Sequence, residues 1–211
     1  MQMTSFKQEL ANSLTHGFGV LFGIVGIPVL IATAATQGNV PGLVGAAIFG
    51  FSFLMVYGFS TLYHSVGHPP LKRVLRILDH ISIYFLIAGS YTPFILSYML
   101  DPTGITLLSV LWGLALLGIA FKVFFTGKFD RVSTGVYLGM GWMLVFVGRR
   151  FLEALPGEVM WMLAAGGLSY TLGVVFYTWK RLPYHHAIWH LFVLAGSICH
   201  YVAVLLAVST E

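Results

Sequence analysis

Charge is what this sequence has least of: only 9% of its 211 residues are Asp, Glu, Lys or Arg. A soluble domain carries about 25%, so this chain lacks the polar surface to face water on all sides. Cysteine is nearly missing as well. Cys199 stands alone inside an apolar run, which excludes an intramolecular disulfide and reads as a small packing residue. There are no linkers, low-complexity tracts or internal repeats, which leaves residues 1–211 as a single domain.

What is present is apolar, at 58% of residues. Seven hydrophobic spans are expected, roughly at 17–36, 43–65, 79–99, 104–125, 133–150, 157–179 and 185–208. Each is close to the ~20 residues a helix needs to cross a bilayer. The fold class is therefore all-α, a polytopic seven-transmembrane helical bundle. The stretch "GFGVLFGIVGIPVLIATAA" ends in small residues as a signal peptide does. It is longer than the usual apolar region of about 7–15 residues, so it reads as a retained first helix. Pro28 and Pro93 are expected to kink helices one and three. Glycines spaced four apart in "GVLFG" (19–23) and "GVYLG" (135–139) suit close helix packing in lipid.

The formal net charge of +4 does not point to nucleic acid, because the cations sit in short loops. The N-terminal tail and the second, fourth and sixth loops hold Lys7, Lys72, Arg73, Arg76, Lys122, Lys128, Arg131, Lys180 and Arg181, and the other side holds Arg149 and Arg150. The positive-inside rule then puts the N-terminus in the cytoplasm and the C-terminus outside.

On that topology His16, His64, His68, His80, His185, His186 and His190 all fall near the cytoplasmic face, with His200 alone deep. Polar side chains in a membrane span are costly and usually face the bundle interior. His186 and His190 share one helix face, one turn apart, and two imidazoles at that spacing can hold one metal ion. The intervening "AIW" lacks the glutamate of the HExxH signature. His64 can supply a third ligand at matching depth, and three His ligands leave a position open for water, the catalytic arrangement of zinc.

Ser60, four before His64, and Asp79 complete the set of candidates, Asp79 as a group that orients a ligand or a water. Plainer readings stand beside them. Asp79 in the first turn of helix three would favour the helix dipole, and Ser60 can bond its own i−4 carbonyl. His68, His80 and His185 read as interfacial. His200 lies about 15 Å beyond His190 at the helical rise per residue, too far for the same ion, and reads as packing.

These residues carry a resemblance. "STLYH" (60–64), "LDHISIYFLIAGSYTPF" (78–94) and "HAIWHLFVLAGSICHY" (186–201) resemble the signature blocks of the haemolysin III family, bacterial members of the progestin and adipoQ receptor family. "ELANSLTHGFG" (9–19) and "KRLPYHHAIWH" (180–190) resemble its N-terminal block and the lead into its last helix.

The resemblance implies a seven-helix bundle with a cytoplasmic N-terminus, in the inner (plasma) membrane of a bacterium. It implies zinc on His64, His186 and His190, with Asp79 reaching the metal through water and Ser60 nearby. The wider superfamily includes alkaline ceramidases, so one expected function is zinc-dependent hydrolysis of a lipid amide or ester. A second is a non-catalytic sensor or regulator of membrane lipid or energetic homeostasis with structural zinc. A third is cytolysis, which the family name suggests. The expected partners are membrane lipids, as substrate or ligand, and the sequence leaves hydrolase, regulator and cytolysin open.

Overall fold

The computed structural model describes residues 5–147 and 149–209. Among them the chain is all-helical, with no strand. The helices are α1 (Phe6–Thr36), α2 (Val40–Ser65), α3 (Pro69–Tyr98), α4 (Pro102–Phe125), α5 (Asp130–Gly141), α6 (Met143–Val147), α7 (Arg149–Ala154), α8 (Gly157–Thr178) and α9 (His185–Ser209). Six of these, α1 to α4, α8 and α9, are long and apolar enough to cross a membrane. They expose residues such as Val25, Leu117, Phe124 and Leu172, as lipid-facing surfaces do.

The helix starts are specified locally. Ser5 and Gln8 form a reciprocal capping box ahead of α1. Asn39 and Asp101 accept from the Gly42 and Gly104 amides, with Pro41 and Pro102 pre-set for the first turn. Two expected spans begin earlier than their apolar runs do. α1 takes in the polar turn from Phe6, and α3 starts at Pro69, so Lys72, Arg73 and Arg76 lie on helix rather than in a loop. Asp79 is consequently well inside α3, and the helix-dipole reading of it falls away. Both α1 and α3 continue through their prolines.

α2 packs between α1 and α3, and α9 against α1 and α8. Phe49, Phe53 and Tyr57 of α2, Tyr84 and Phe94 of α3, and Val204 of α9 form the centre of the core. Lipid tails are as apolar as these side chains, so close approach and hydrogen bonding hold such a bundle together. Gly45 shows the point, since a Cβ there would come within 2.4 Å of Pro93 Cα. Gly19 and Gly23 press on Tyr57 and on Leu54 and Phe53, as "GVLFG" suggested, whereas Gly135 and Gly139 of "GVYLG" have nothing within 4 Å of a built Cβ.

The expected fifth span, 133–150, is a broken segment. α5 ends at Gly141, Trp142 forms a turn, and α6 and α7 are short. Backbone groups freed inside a membrane must find partners, and Tyr91 of α3 supplies them. Its hydroxyl donates to the Met140 and Gly141 carbonyls at 3.0 and 2.6 Å, and accepts from the Leu144 amide at 3.4 Å. Two ion pairs tie the segment to α4. Asp130 pairs with Lys122 near the C-terminal end of α4 at 3.4 Å, and Arg150 pairs with Asp101 at its N-cap at 3.1 Å.

Candidate metal centre

Two helices bring the expected ligands together. His64 comes from the last turn of α2, His186 and His190 from the first two turns of α9, and one potential ligand atom from each lies within 4.8 Å of the others. His190 is fully buried and His64 nearly so. The ring centroids are 5.2 Å apart for His64–His186 and for His64–His190, and 4.5 Å for His186–His190.

The first helix decides which nitrogen two of the three rings present. Glu9 Oε2 lies 2.6 Å from His64 Nδ1, and a carboxylate can only accept, so Nδ1 carries the proton. His190 Nδ1 lies 3.1 Å from the Asn12 carbonyl and 3.2 Å from Thr15 Oγ1. That hydroxyl already donates to the Ala11 and Asn12 carbonyls, so His190 Nδ1 is a donor too. Both rings are thereby left with a lone pair on Nε2, and both Nε2 atoms are buried without a hydrogen-bond partner. An unpaired buried acceptor is costly, and a cation between the rings removes the cost. The anchoring of Nδ1 by a carboxylate or a carbonyl is how metal-ligating histidines are held. The donor set therefore fits a zinc ion.

Glu9, Asn12, Thr15 and His16 are the residues that reading the sequence for histidine spacing missed. Glu9, Asn12 and His16 recur at three and four residues in the polar start of helix one, the spacing of a single helix face. Asn12 and His16 are each 2% exposed. His16 stacks on His190 with ring centroids 3.5 Å apart and meets the Tyr57 ring edge-on. Lys72 Nζ lies 3.2 Å from the other oxygen of Glu9, tying α3 to the same anchor.

Asp79 and Ser60 are placed differently. Asp79 Oδ2 pairs with His80 Nδ1 at 3.5 Å and lines an interior cavity of about 270 Å³, together with His16 and His186. Ser60, one turn before His64, is buried, and its Oγ has no partner. The expected bond to its own i−4 carbonyl is not made, although Ser52 and Thr61 on the same helix make theirs. His80, expected at the interface, lines the cavity and bonds the Arg76 carbonyl at 2.8 Å. His68 caps α3 without a side-chain bond. His200 packs edge-on against Tyr170 at 5.3 Å and lines the deep part of the cavity with it.

A helical membrane protein with a buried three-histidine cluster beside an interior cavity is the class that fold and site define. The chain belongs to the family described as Haemolysin-III related, matching it over residues 4–201. It is 46% identical to the Hemolysin-3 homolog of Bacillus subtilis (strain 168) over 203 residues, covering 96% of this chain and 95% of that protein. It is 44% identical to Hemolysin-3 of Bacillus cereus over 205 residues, covering 97% and 94%. The Monocyte to macrophage differentiation factor of Homo sapiens is 30% identical over 205 residues, covering 93% and 83%. No solved structure matches the chain.

Proposed function

We propose that this protein holds zinc on His64, His186 and His190 and acts on a membrane lipid, regulating lipid or energetic homeostasis through hydrolysis of an amide or ester bond. The observation that carries this reading is the pair of buried, unpartnered Nε2 atoms, their Nδ1 partners fixed by Glu9 and Asn12. Bound zinc supplies a Lewis acid and a coordinated water of lowered pKa. Asp79, on the wall of the cavity that also admits His186, accepts a proton as general base and returns it to the leaving group. Ser60, with its Oγ unspent, orients the water or the oxyanion. The cavity walls, with Leu86, Ile87, Leu138 and Leu163 among them, suit an acyl chain.

The same reading makes residues 1–211 one domain in the bacterial plasma (inner) membrane, with seven crossings, the N-terminus in the cytoplasm and the C-terminus outside. The contacts of Asp130 and Arg150 at opposite ends of α4 support a crossing by the broken segment. The crowding of Lys and Arg at the Lys122 end supports the orientation.

One observation favours a second reading, a regulator in which zinc only clamps α2 to α9. Of the three ligands only His186 lines the cavity. Cytolysis, which the names of the Bacillus relatives carry, gains no support from the site. The test is the metal content of detergent-purified protein. About one zinc per chain, lost in His64→Ala, His186→Ala and His190→Ala and kept in His200→Ala, is the outcome for three His ligands. Absence of zinc binding by the wild type at saturating metal would sink both readings. Asp79→Asn then separates them: retained zinc with abolished lipid hydrolysis marks the enzyme, and retained zinc with no hydrolysis by the wild type marks the clamp.

A further inference from the structure

A second polar centre lies at the turn between α4 and α5, built from side chains other than the three histidines. Lys122 of α4 is 1% exposed and lines the cavity. A cation buried at this depth is expensive and marks a pathway or a site. Its ammonium has three donors, and the contact that pairs it is a long one, 3.4 Å to Asp130 Oδ1.

Two more cations lie on neighbouring elements. The Arg76 guanidinium lies over Gly127, where a Cβ would come within 2.9 Å of it, and the φ of +79° at Gly127 bends the α4–α5 turn to receive it. Arg76 and Lys122 are near enough to repel one another. Lys180 sits over the Tyr177 ring at 4.3 Å and feels the charge of Asp130. Tyr177 and Asp130 both line the cavity. Lys122 and Asp130 thus form an ion pair on the wall of an apolar chamber, with Arg76 at the adjoining turn and Lys180 over a lining tyrosine. The positive-inside rule accounts for cations in exposed loops, but not for one buried against a cavity.

We infer that Arg76, Lys122 and Lys180 form a site for a phosphate group, carried by a lipid whose chain enters the cavity or present as the free anion. The inference rests on the cavity being a ligand site, as in the proposed function, and not on the metal. Arg and Lys donors on a phosphate are charge-assisted, roughly twice as strong as neutral bonds. The lipid handled here is then an anionic phospholipid rather than a neutral one.

The test uses the full chain in detergent, with binding read from the fluorescence of Trp142 and Trp189, which line the cavity. Oleoyl lysophosphatidic acid, monoolein and inorganic phosphate are the probes. The expected result is binding of the lysophosphatidic acid about tenfold or more tighter than monoolein. Lys122→Arg keeps that preference and Arg76→Gln reduces it. The pair Lys122→Gln with Asp130→Asn, which removes both members of the ion pair together, abolishes it. Inorganic phosphate that binds alone and displaces the lipid assigns the site to the free anion. Equal binding of the two lipids by the wild type, with no binding of phosphate, overturns the inference. His190→Ala keeps the preference for phosphate while losing zinc, so failure of the metal reading and failure of this one are told apart.

Discussion

The α1–α2–α9 side of the bundle and the α5–α7 segment are built on opposite terms. In the first, glycines let helices touch: a Cβ at Gly19 would sit 2.2 Å from the Tyr57 ring. Buried imidazoles are held there by named partners. In the second, Gly135 and Gly139 face open space, the helix breaks at Trp142, and one hydroxyl covers the break. Rigid packing is spent where a ligand set must be held in register, and slack is left on the cavity wall opposite it. A site that needs sub-ångström placement belongs on the first kind of scaffold.

The largest effect separating the two regions is expected at the ligands. His190→Ala removes metal retention altogether, whereas His200→Ala, on the same helix, leaves it, as metal analysis will read. Next comes the anchor. Glu9→Gln weakens zinc affinity by about 10- to 100-fold without removing a ligand, measurable by chelator competition. If Glu9→Gln left the affinity unchanged, the first helix would be packing only and the contrast between the regions would lose its chemical basis.

Stability changes come third, and replacing a glycine by alanine has opposite signs in the two regions. Gly19→Ala overpacks against Tyr57 and costs about 1–3 kcal/mol. Gly139→Ala, with open space around it, stabilises by up to about 1 kcal/mol through helix propensity. Tyr91→Phe strips the cover from the Met140 and Gly141 carbonyls. It costs about 1–3 kcal/mol, with faster amide exchange around Leu144 as the local signature.

The smallest effect is electrostatic, at the end of α4 that Arg150 reaches. The Gly104 amide, and after it the Arg150 charge, hold the Asp101 carboxyl below its ordinary value. A lowered folded-state pKa favours the ionised form, so its contribution is present above the ordinary carboxylate range and fades as pH falls through the lowered value. Asp101→Asn, which keeps a capping side chain, lowers the melting temperature slightly at neutral pH. That difference disappears on acidification.

Much of the site was legible from spacing alone. His186 and His190 share a face because a helix repeats every 3.6 residues, and any helix carrying "HAIWH" makes them neighbours. The membrane class followed as directly, since so few charges cannot cover a soluble surface. The first helix was partly legible. Glu9, Asn12 and His16 mark one polar face, but nothing in their order says that Glu9 meets His64 or that the Asn12 carbonyl meets His190. Those contacts join residues 55 and 178 positions apart. Asp79 was legible as a candidate, and its surroundings were misread because the charged start of α3 resembles a loop when only hydropathy is followed.

What the sequence determined by itself is therefore local and compositional: an all-helical membrane chain, the pairing of His186 with His190, and the asymmetry of Lys and Arg. Those follow from helix period, side-chain chemistry and the cost of charge in hydrocarbon, which need no knowledge of neighbours. Only the tertiary structure decided which imidazole nitrogen is left free, that Tyr91 closes the break at Trp142, and that Lys122 is buried on a cavity wall beside Arg76. Each of these depends on two helices approaching at one register. A hydrogen bond is made or lost over about an ångström, a distance that spacing along a single helix does not set.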